Sequence, residues 1–393
     1  MNVPQRRASN VTEQAAARPV YLDCNATTPL EPGVREVMLH FFDQEYGNAG
    51  SRTHEFGLAA RKAVEEARGA VAAVAKSKSE EVVFTSGATE ANNLAILGLA
   101  DLGQRTSRRH IVSTAIEHKA VLEPLDVLRQ RGFTVDLAPP TRHGWVAVDE
   151  IMARVRPDTL LVSVMHANNE TGVLQPIAEL AAALSAHEAY LHVDAAQGFG
   201  KDDQLEASRI DLISVSAHKV FGPKGVGALI ARRRGFNRVP ITPLLFGGGQ
   251  ERGLRPGTLP VALIAAFGEA ARLAKRDGVR RKERCMQFRN EILTNLAPLQ
   301  PLTNGDQNRC LPHVLNISFP GVDSEALLVA LKQHVAISNG AACTSHSYET
   351  SHVLKAMQLD ARDIAGAIRL SWCHLTPAPN WNAMTSSIRA LLG

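Results

Sequence analysis

The sequence predicts an α/β protein in which helices cover both faces of a mainly parallel sheet. Short apolar runs, rich in Val, Ile and Leu, alternate with longer stretches whose apolar residues recur at helical spacing. Each run is bounded by polar or Gly-containing turns, as is typical of strands buried on both faces. The predicted strands are EVVFT (81–85), HIVST (110–114), TLLVSVM (159–165), YLHVD (190–194) and DLISVS (211–216).

Helical spacing appears between these strands, at 58–75, 88–101, 118–131 and 176–187. Four of the strands are followed by polar segments, which read SGATE, HANNE, AAQ and AHK. Parallel strands that alternate with helices direct their carboxyl ends to one edge of the sheet, where active groups collect. We therefore expect one cleft to gather these four segments.

The Gly- and Pro-rich segment GGGQERGLRPGTLP (247–260) is a predicted break, followed by helices at about 260–276 and 279–297. A smaller second domain is predicted to begin near residue 278; its later elements are strands at HVLNISF (313–319), near 334–338 and at AIRLSW (367–372), and a helix near 323–332. The predicted parts are a disordered tail (1–18), an N-terminal segment joining the small domain (19–30), a large domain (31–277) and a small C-terminal domain (278–393).

Composition excludes several classes of protein. The chain has 393 residues, of which 45% are hydrophobic, and a formal charge of +4, which is too mild to predict direct binding to nucleic acid. No window holds the roughly eighteen unbroken apolar residues of a membrane span. The first 18 residues are polar and lack the apolar region of a secretory signal, so we expect a frayed tail, with an organelle transit peptide as the alternative.

The cysteines also bear on the compartment. Five are scattered along the chain, at Cys24, Cys285, Cys310, Cys343 and Cys373. An odd, sparse set suits a reducing cytoplasm rather than a disulfide scaffold. No His or Cys near Cys343 lies at zinc-finger spacing, and we expect no metal site.

Two segments offer groups for an anion and for covalent chemistry. SGATEANN (86–93) is a small-residue turn before a helix, where the backbone N–H groups of Ala88 and Thr89 could hold a phosphate; an ordinary Thr cap is the alternative. SAHK (216–219) places Lys219 at a strand end before the sharp turn of FGPKGVGAL. That lysine could form a Schiff base, or it could be an ordinary surface residue.

Three further residues each admit both structural and functional interpretations. Asp194 ends a buried strand, where a cationic ring nitrogen, a backbone N–H or an arginine would compensate its charge. His118 begins a helix, either as a cap or surface residue or as a ring stacked on a planar cofactor. Arg369 lies in an apolar strand and requires an anion, which could be a structural carboxylate or that of a substrate. Together these groups match a pyridoxal phosphate enzyme that acts on an amino acid.

The sequence resembles the cysteine desulfurases, on the fold of the class V aminotransferases, from YLDCNATTP (21–29) to RLSW (369–372). Nine motifs occur in the family's order and approximate spacing. They are YLDCNATTP, GNAGSRTHEFG, FTSGATEANNLAI, EHKAVL, MHANNETGV, HVDAAQ, SAHKVFGPKGVGAL, GGGQERGLRPGTLP and the loop around SNGAACTSH (338–346). The resemblance implies fold type I of the pyridoxal phosphate-dependent transferases: a large cofactor-binding domain with a mainly parallel seven-stranded sheet, and a smaller α/β C-terminal domain.

The resemblance also implies roles for residues that match the motifs. Lys219 would be the Schiff-base lysine, and His118 would stack over the ring of pyridoxal 5′-phosphate and help to move protons. Asp194 would face the pyridinium nitrogen, and Gln197 the ring hydroxyl. Asn169 would contact the cofactor and the substrate.

Other matching residues would bind the two anionic ends of the ligands. The cofactor phosphate would be held by Ala88, Thr89, Ser216 and His218. Thr258 would reach the phosphate of the other subunit, which implies a homodimer. Arg369 would bind the carboxylate of L-cysteine.

Cys343 resembles the family's sulfur acceptor. In the family's reaction L-cysteine becomes L-alanine, and a persulfide remains on the cysteine for transfer to an acceptor protein. The Gly, Ala, Ser and Thr around Cys343 suit a mobile arm, and the long loop resembles the mobile-loop group; a buried structural cysteine is the alternative. Trp372 and Cys373 stand where the family commonly has smaller or different residues.

The residues of these motifs are most similar to those of the branch associated with DNA phosphorothioate modification. Sulfur donation for iron–sulfur cluster assembly is the second interpretation. A class V aminotransferase that does not need Cys343, a selenocysteine lyase and a non-catalytic scaffold are the alternatives of other kinds. We expect a cytoplasmic enzyme with no membrane contact.

Overall fold

The computed structural model describes residues 18–206, 209–339 and 350–392. Cys343 and nearly all of the predicted tail lie outside these residues. The strands are β1 Val20–Tyr21, β2 Val82–Thr85, β3 His110–Thr114, β4 Thr134–Ala138, β5 Thr159–Met165, β6 Tyr190–Asp194, β7 Leu212–Ser216, β8 Gly227–Ala231, β9 Leu302–Thr303, β10 Val314–Ser318, β11 Val335–Ala336 and β12 Ala367–Ser371.

Helices pack against these strands. They are α1 Pro32–Asp43, α2 Glu55–Val74, α3 Ala88–Leu97, α4 Ala100–Arg105, α5 Lys119–Gln130, α6 Val148–Met152, α7 Ile177–Ala183, α8 Val261–Leu296, α9 Ser324–Leu331, α10 His352–Ala356, α11 Ala361–Ala365 and α12 Trp381–Leu392. The helix predicted at 88–101 is divided into α3 and α4, because the chain turns at Gly98 and Leu99.

Seven strands form one sheet in the order β2-β8-β7-β6-β5-β3-β4. Strand β8 is antiparallel to β2 and β7, and the other neighbours are parallel. The predicted mainly parallel, seven-stranded sheet is therefore confirmed. All seven residues of β5 are buried, which explains its unbroken apolar sequence.

Two smaller sheets lie in the second half of the fold. Strand β10 pairs antiparallel with β12 and β9, and β1 pairs parallel with β11. A second apolar core surrounds them, distinct from the cores on the large sheet. The N-terminal strand is thus held by an element that comes more than 300 residues later in the chain.

The predicted break between helices at 260–276 and 279–297 is wrong, because α8 is a single helix of 36 residues. Gly278 lies inside it, and one glycine costs a helix only about 1 kcal/mol. The first part of α8 packs in the core beneath the large sheet, and its last part, from Cys285 to Leu296, packs in the second core. The domain limits proposed from the sequence stay predictions.

Within the described ranges, every helix is too short or too polar to cross a membrane.

Candidate cofactor and substrate site

A cavity of about 510 Å³ lies past the carboxyl ends of β2, β5, β6 and β7. Ten of the sequence-predicted residues line it, so the structure brings together what the strand ends separate in sequence. They are Ala88, Thr89, His118, Asn169, Asp194, Gln197, Ser216, His218, Lys219 and Arg369. Their individual roles stay predictions.

Lys219 lies in a short 3-10 turn that continues β7. Its Nζ donates hydrogen bonds to the carbonyl oxygens of Asn25 and Ala26, the latter at 3.0 Å. The amine is therefore held at the cavity wall by the N-terminal segment rather than exposed on the surface.

His218 precedes that lysine and contacts the same segment, through Nδ1 at 3.1 Å from Thr27 Oγ1. Burial and, to a smaller extent, the positive charges of Lys219 and Lys224 lower the pKa of His218 to about 4. The imidazole is therefore neutral at neutral pH, so it offers a hydrogen bond but no charge.

Asp194 ends β6 with both carboxylate oxygens hydrogen-bonded. Asn92 Nδ2 donates to Oδ2 at 2.7 Å, and the backbone N–H of Ala196 donates to Oδ1 at 3.0 Å. The backbone partner considered from the sequence is present. Asn92 was missed by sequence reasoning, although it lies one helical turn after Ala88 and so shares its face of α3.

Asn25 was also missed, and it links three of the predicted residues. Its carbonyl oxygen accepts from Lys219 and, at 3.0 Å, from Gln197 Nε2, while its Nδ2 donates to the carbonyl of Asn169 at 3.0 Å. The sequence signal for Asn25 was its place inside the motif YLDCNATTP. Hydrophobic periodicity gives no indication that this motif lies at the edge of the sheet.

Three buried amide oxygens bordering the cavity have no hydrogen-bond partner among the described residues, namely Asn25 Oδ1, Asn92 Oδ1 and Gln197 Oε1. Buried polar atoms are normally paired. The cavity is therefore built for a polar ligand.

His118 caps α5, and its Nδ1 accepts from the backbone N–H of Ala120 at 3.0 Å. The capping interpretation is thus present, while the ring still lines the cavity. The preceding Glu117 is fully buried and accepts hydrogen bonds from Thr114 Oγ1 at 2.6 Å and from the backbone of Met165 at 2.9 Å. Burial raises the pKa of Glu117 to about 8.

Arg369 lies on β12, and it has a carboxylate partner. Its Nη2 is 2.7 Å from Asp23 Oδ1, and its Nη1 donates to the carbonyl of Asn169 at 2.9 Å. The structural carboxylate considered from the sequence is therefore Asp23. Within the part of the chain that the structure describes, the guanidinium Nε has no partner, although it is buried beside the cavity.

The start of α3 is held against the cavity by close backbone packing. A Cβ at Gly227 would lie 2.7 Å from the Cα of Gly87, so only glycine lets β8 approach the residue that begins the helix. Glu90 in the first turn accepts from the backbone of Ser86 at 2.7 Å and pairs with Arg255 at 2.9 Å. These contacts fix the N–H groups that the sequence predicts for an anion.

Thr258 lies elsewhere. It lines a second cavity of about 310 Å³, which it shares with Arg52, Arg61 and Arg68. The structure therefore separates Thr258 from the other predicted site residues of its own chain, and its reach into a partner's site stays a prediction.

Comparison with known proteins identifies the family. The model of the aminotransferase class-V family matches residues 20–380. A mitochondrial cysteine desulfurase of Arthroderma benhamiae is 46% identical over 86% of this chain and 68% of its own length. The cysteine desulfurase IscS of Methylococcus capsulatus is 43% identical over 94% of this chain and 92% of its own.

Solved structures agree with these relatives. The crystal structure of DndA from Streptomyces lividans shares 50% identity and a TM-score of 0.79, over 91% of this chain and 100% of that one. SspA in complex with cysteine shares 32% identity and a TM-score of 0.80 with the same coverage. The chain therefore belongs to the aminotransferase class-V family and, within it, to the cysteine desulfurases, which use pyridoxal 5′-phosphate.

Proposed function

We propose that this chain is a cysteine desulfurase that converts L-cysteine to L-alanine and leaves the sulfur as a persulfide on Cys343. The observation that carries the proposal is the single cavity in which Lys219, Asp194 and Arg369 meet, in a chain that is 43% identical to a cysteine desulfurase over 94% of its length. A neighbour solved with cysteine bound supports the choice of substrate.

The polar groups of the cavity fit pyridoxal 5′-phosphate. Asp194 offers a carboxylate for a ring nitrogen, and Lys219 offers an amine for the aldehyde. The first residues of α3 offer backbone N–H groups for the phosphate. The unpaired oxygens of Asn92 and Gln197 are available to polar atoms of the ligand. When bound, this cofactor supplies an electron sink for bond changes in an amino acid.

The chain's own groups bind the substrate and move its protons. Arg369 holds the carboxylate of L-cysteine, using the guanidinium edge whose Nε is unpaired and sharing its charge with Asp23. Lys219 Nζ takes the proton from the substrate's α-carbon. His118, which lines the same cavity, assists proton transfer on the cofactor side.

Sulfur transfer then needs the thiolate of Cys343. It attacks the substrate's sulfur, the new S–S bond forms as the substrate's C–S bond breaks, and the carbon takes up a proton to become L-alanine. The described residues on either side of the segment that carries Cys343 contact the site. Ser338 bonds to the backbone of Arg369, with Arg369 N 2.6 Å from Ser338 O, and Ser351 Oγ donates to Glu170 Oε2 at 2.5 Å, next to Asn169.

The acceptor of the sulfur follows from similarity alone. We favour supply of sulfur for DNA phosphorothioate modification, because the motifs resemble that branch and the chain shares 50% identity with DndA. Iron–sulfur cluster assembly is the second candidate, because the IscS relative is 43% identical. In either case the reaction belongs in the cytoplasm, where free thiols such as Cys285 and Cys310 stay reduced.

A homodimer is part of the proposal. Large apolar side chains are exposed on either side of residues 48–50, which line the second cavity. Tyr46 is 70% and Phe56 44% exposed, and the centroids of their stacked rings are 5.3 Å apart. Phe42 and Leu58 are also exposed. Exposed apolar patches mark surfaces that associate, and here such a surface would bring Thr258 to a partner's phosphate.

Mass spectrometry after incubation of the holoenzyme with L-cysteine tests the reaction. We expect one added sulfur on the peptide that carries Cys343, and loss of sulfide release in Cys343→Ala. Persistence of alanine formation in Cys343→Ala would contradict the role of Cys343 as sulfur acceptor, whereas transamination of L-cysteine with its C–S bond intact would indicate an ordinary class V aminotransferase. The Cys310→Ser variant is the matched control and should keep the persulfide on Cys343.

A further inference from the structure

Two thiols outside the cofactor cavity lie in contact. Cys24 follows β1 and Cys373 follows β12, and they are hydrogen-bonded to each other while both are free, buried and packed against Phe221. The N–H of Cys24 donates to the carbonyl of Ser371 at 3.0 Å, so the two backbone segments run side by side. Neither thiol lines the cofactor cavity.

The surroundings of the two sulfur atoms differ. The Cys373 sulfur accepts hydrogen bonds from Cys24, from Thr376 Oγ1 at 3.5 Å and from the backbone N–H of Leu375. The bond from Cys24 lowers the pKa of Cys373, and the same bond raises the pKa of Cys24. The pair therefore contains one sulfur that is stabilised as a thiolate and a neighbour that keeps its proton.

Small solutes have a route to this pair. A cavity of about 400 Å³, separate from the cofactor cavity, is lined by Cys24 and Cys373 together with Tyr21 and Leu375. Tyr21 and Leu375 are 39% and 47% exposed, so the cavity reaches the surface. The lining is mostly apolar, which suits a small neutral reagent better than a charged one.

We propose that Cys24 and Cys373 form a second reactive site, a dithiol that hydroperoxides convert to an intramolecular disulfide. The Cys373 thiolate attacks one oxygen of hydrogen peroxide, the O–O bond breaks, and the hydroxide that leaves takes a proton from solvent to become water; an organic hydroperoxide releases its alcohol in the same way. The thiol of Cys24 then attacks the resulting sulfenic sulfur, loses its proton and releases a second water. The two thiols lose two electrons, and the peroxide gains them.

The disulfide would act on the cofactor site through the backbone. Asn25 and Ala26 follow Cys24 directly, and their carbonyl oxygens accept the hydrogen bonds of Lys219. A covalent bond from Cys24 to Cys373 would fix the segment that holds this amine.

Tryptic digestion gives a direct test, because Cys24 and Cys373 fall in different fragments, 8–35 and 370–389, with one cysteine each. The full-length holoenzyme is reduced, freed of reductant, treated with equimolar hydrogen peroxide, blocked with an alkylating reagent and digested without reduction. We expect the two fragments joined, with two hydrogens lost and both recovered separately after reduction. Peroxide-treated protein in which Cys24 and Cys373 remain alkylated as free thiols would overturn the proposal.

Variants separate the two roles and control for general oxidation. Cys24→Ser should stop at a sulfenic acid on Cys373, which a dimedone probe labels, whereas Cys373→Ser should form neither product. Cys310→Ser is the matched control, because Cys310 lies apart from the pair, and it should keep the cross-link in full. Sulfenic acid on Cys24 in the Cys373→Ser variant, at the parent's rate of peroxide consumption, would contradict the assigned order.

Discussion

Glu117 is a carboxyl group with no exposed surface, placed directly before His118. One oxygen accepts two hydrogen bonds, while Oε2 has no partner in residues 18–206, 209–339 and 350–392. Because burial disfavours the charged form, the pKa of Glu117 rises from 4.5 to about 8, and the group is mostly protonated at neutral pH. It therefore adds no fixed negative charge behind the cofactor site.

The replacement Glu117→Gln tests this protonation state. Between pH 4.5 and about 8 the folded chain keeps a proton that the unfolded chain has lost, so the free energy of unfolding falls as pH rises through this window. The slope contributed by one such group is at most about 1.4 kcal/mol per pH unit. We expect Glu117→Gln to remove this contribution, measured by denaturant unfolding at several pH values.

Glu123 provides the control, because it lies on the following helix and is exposed. Glu123→Gln should leave the slope of the parent unchanged. A Glu117→Gln variant whose unfolding free energy follows the parent's pH profile would show that Glu117 is ionised in the folded protein.

Site residues were predictable where a reactive or charged side chain lies at the end of a strand, as Asp194 and Lys219 do. The carboxyl ends of neighbouring parallel strands meet at one edge of the sheet, so the position of such a side chain is known. Asn25 was not predictable in this way. It reaches the cavity because β1 pairs with β11 and carries the N-terminal segment across to Asn169. Such long-range contacts leave no periodic signal in the sequence.

At the scale of elements, α2 and α8 pack closely through Gly268. A Cβ at this position would lie 2.5 Å from the Cα of Ala67, which is backbone and cannot move aside. We expect Gly268→Ala to force the helices apart and to destabilise the protein by about 1–3 kcal/mol. Thermal and denaturant unfolding of the holoenzyme measure this change.

Gly278, on the same helix, gives the matched control. A Cβ at Gly278 would meet no atom of the described residues within 4 Å. Gly278→Ala should therefore stabilise the protein by about 0.5–1 kcal/mol, through helix propensity alone. Equal effects of the two substitutions would contradict the packing explanation for Gly268.

The elements themselves were predicted best where they are fully buried. Strands β3, β5 and β6 have the predicted bounds, because burial on both faces demands an unbroken apolar run. Strand β4 was missed, since it lies at the sheet edge and its residues Thr134 and Asp136 are exposed or half-buried. The continuity of α8 was missed because Gly278 resembles a break, while packing on both sides of it maintains the helix.

At the scale of the whole molecule, Thr258 decides whether one chain makes a complete site. It lines the second cavity, away from Lys219. Exposed Tyr46 and Phe56 lie in sequence on either side of residues 48–50, which line the same cavity. If Thr258 serves the partner's phosphate, loss of Lys219 on one chain and of Thr258 on the other damage the same site, and the second site of the dimer stays intact. Heterodimers distinguish this arrangement from one within a single chain.

Two differently tagged variants, Lys219→Ala and Thr258→Ala, are co-expressed and the heterodimer is purified through both tags. The site on the Thr258→Ala chain keeps its own Lys219 and receives the intact Thr258 of its partner, so we expect about half of the parent's alanine formation per dimer. The control pairs Lys219→Ala with Asn92→Ala; Asn92 bonds to Asp194 within one chain, so neither site should recover. A Lys219→Ala/Thr258→Ala heterodimer no more active than the mean of its two homodimers would place Thr258 in its own chain's site.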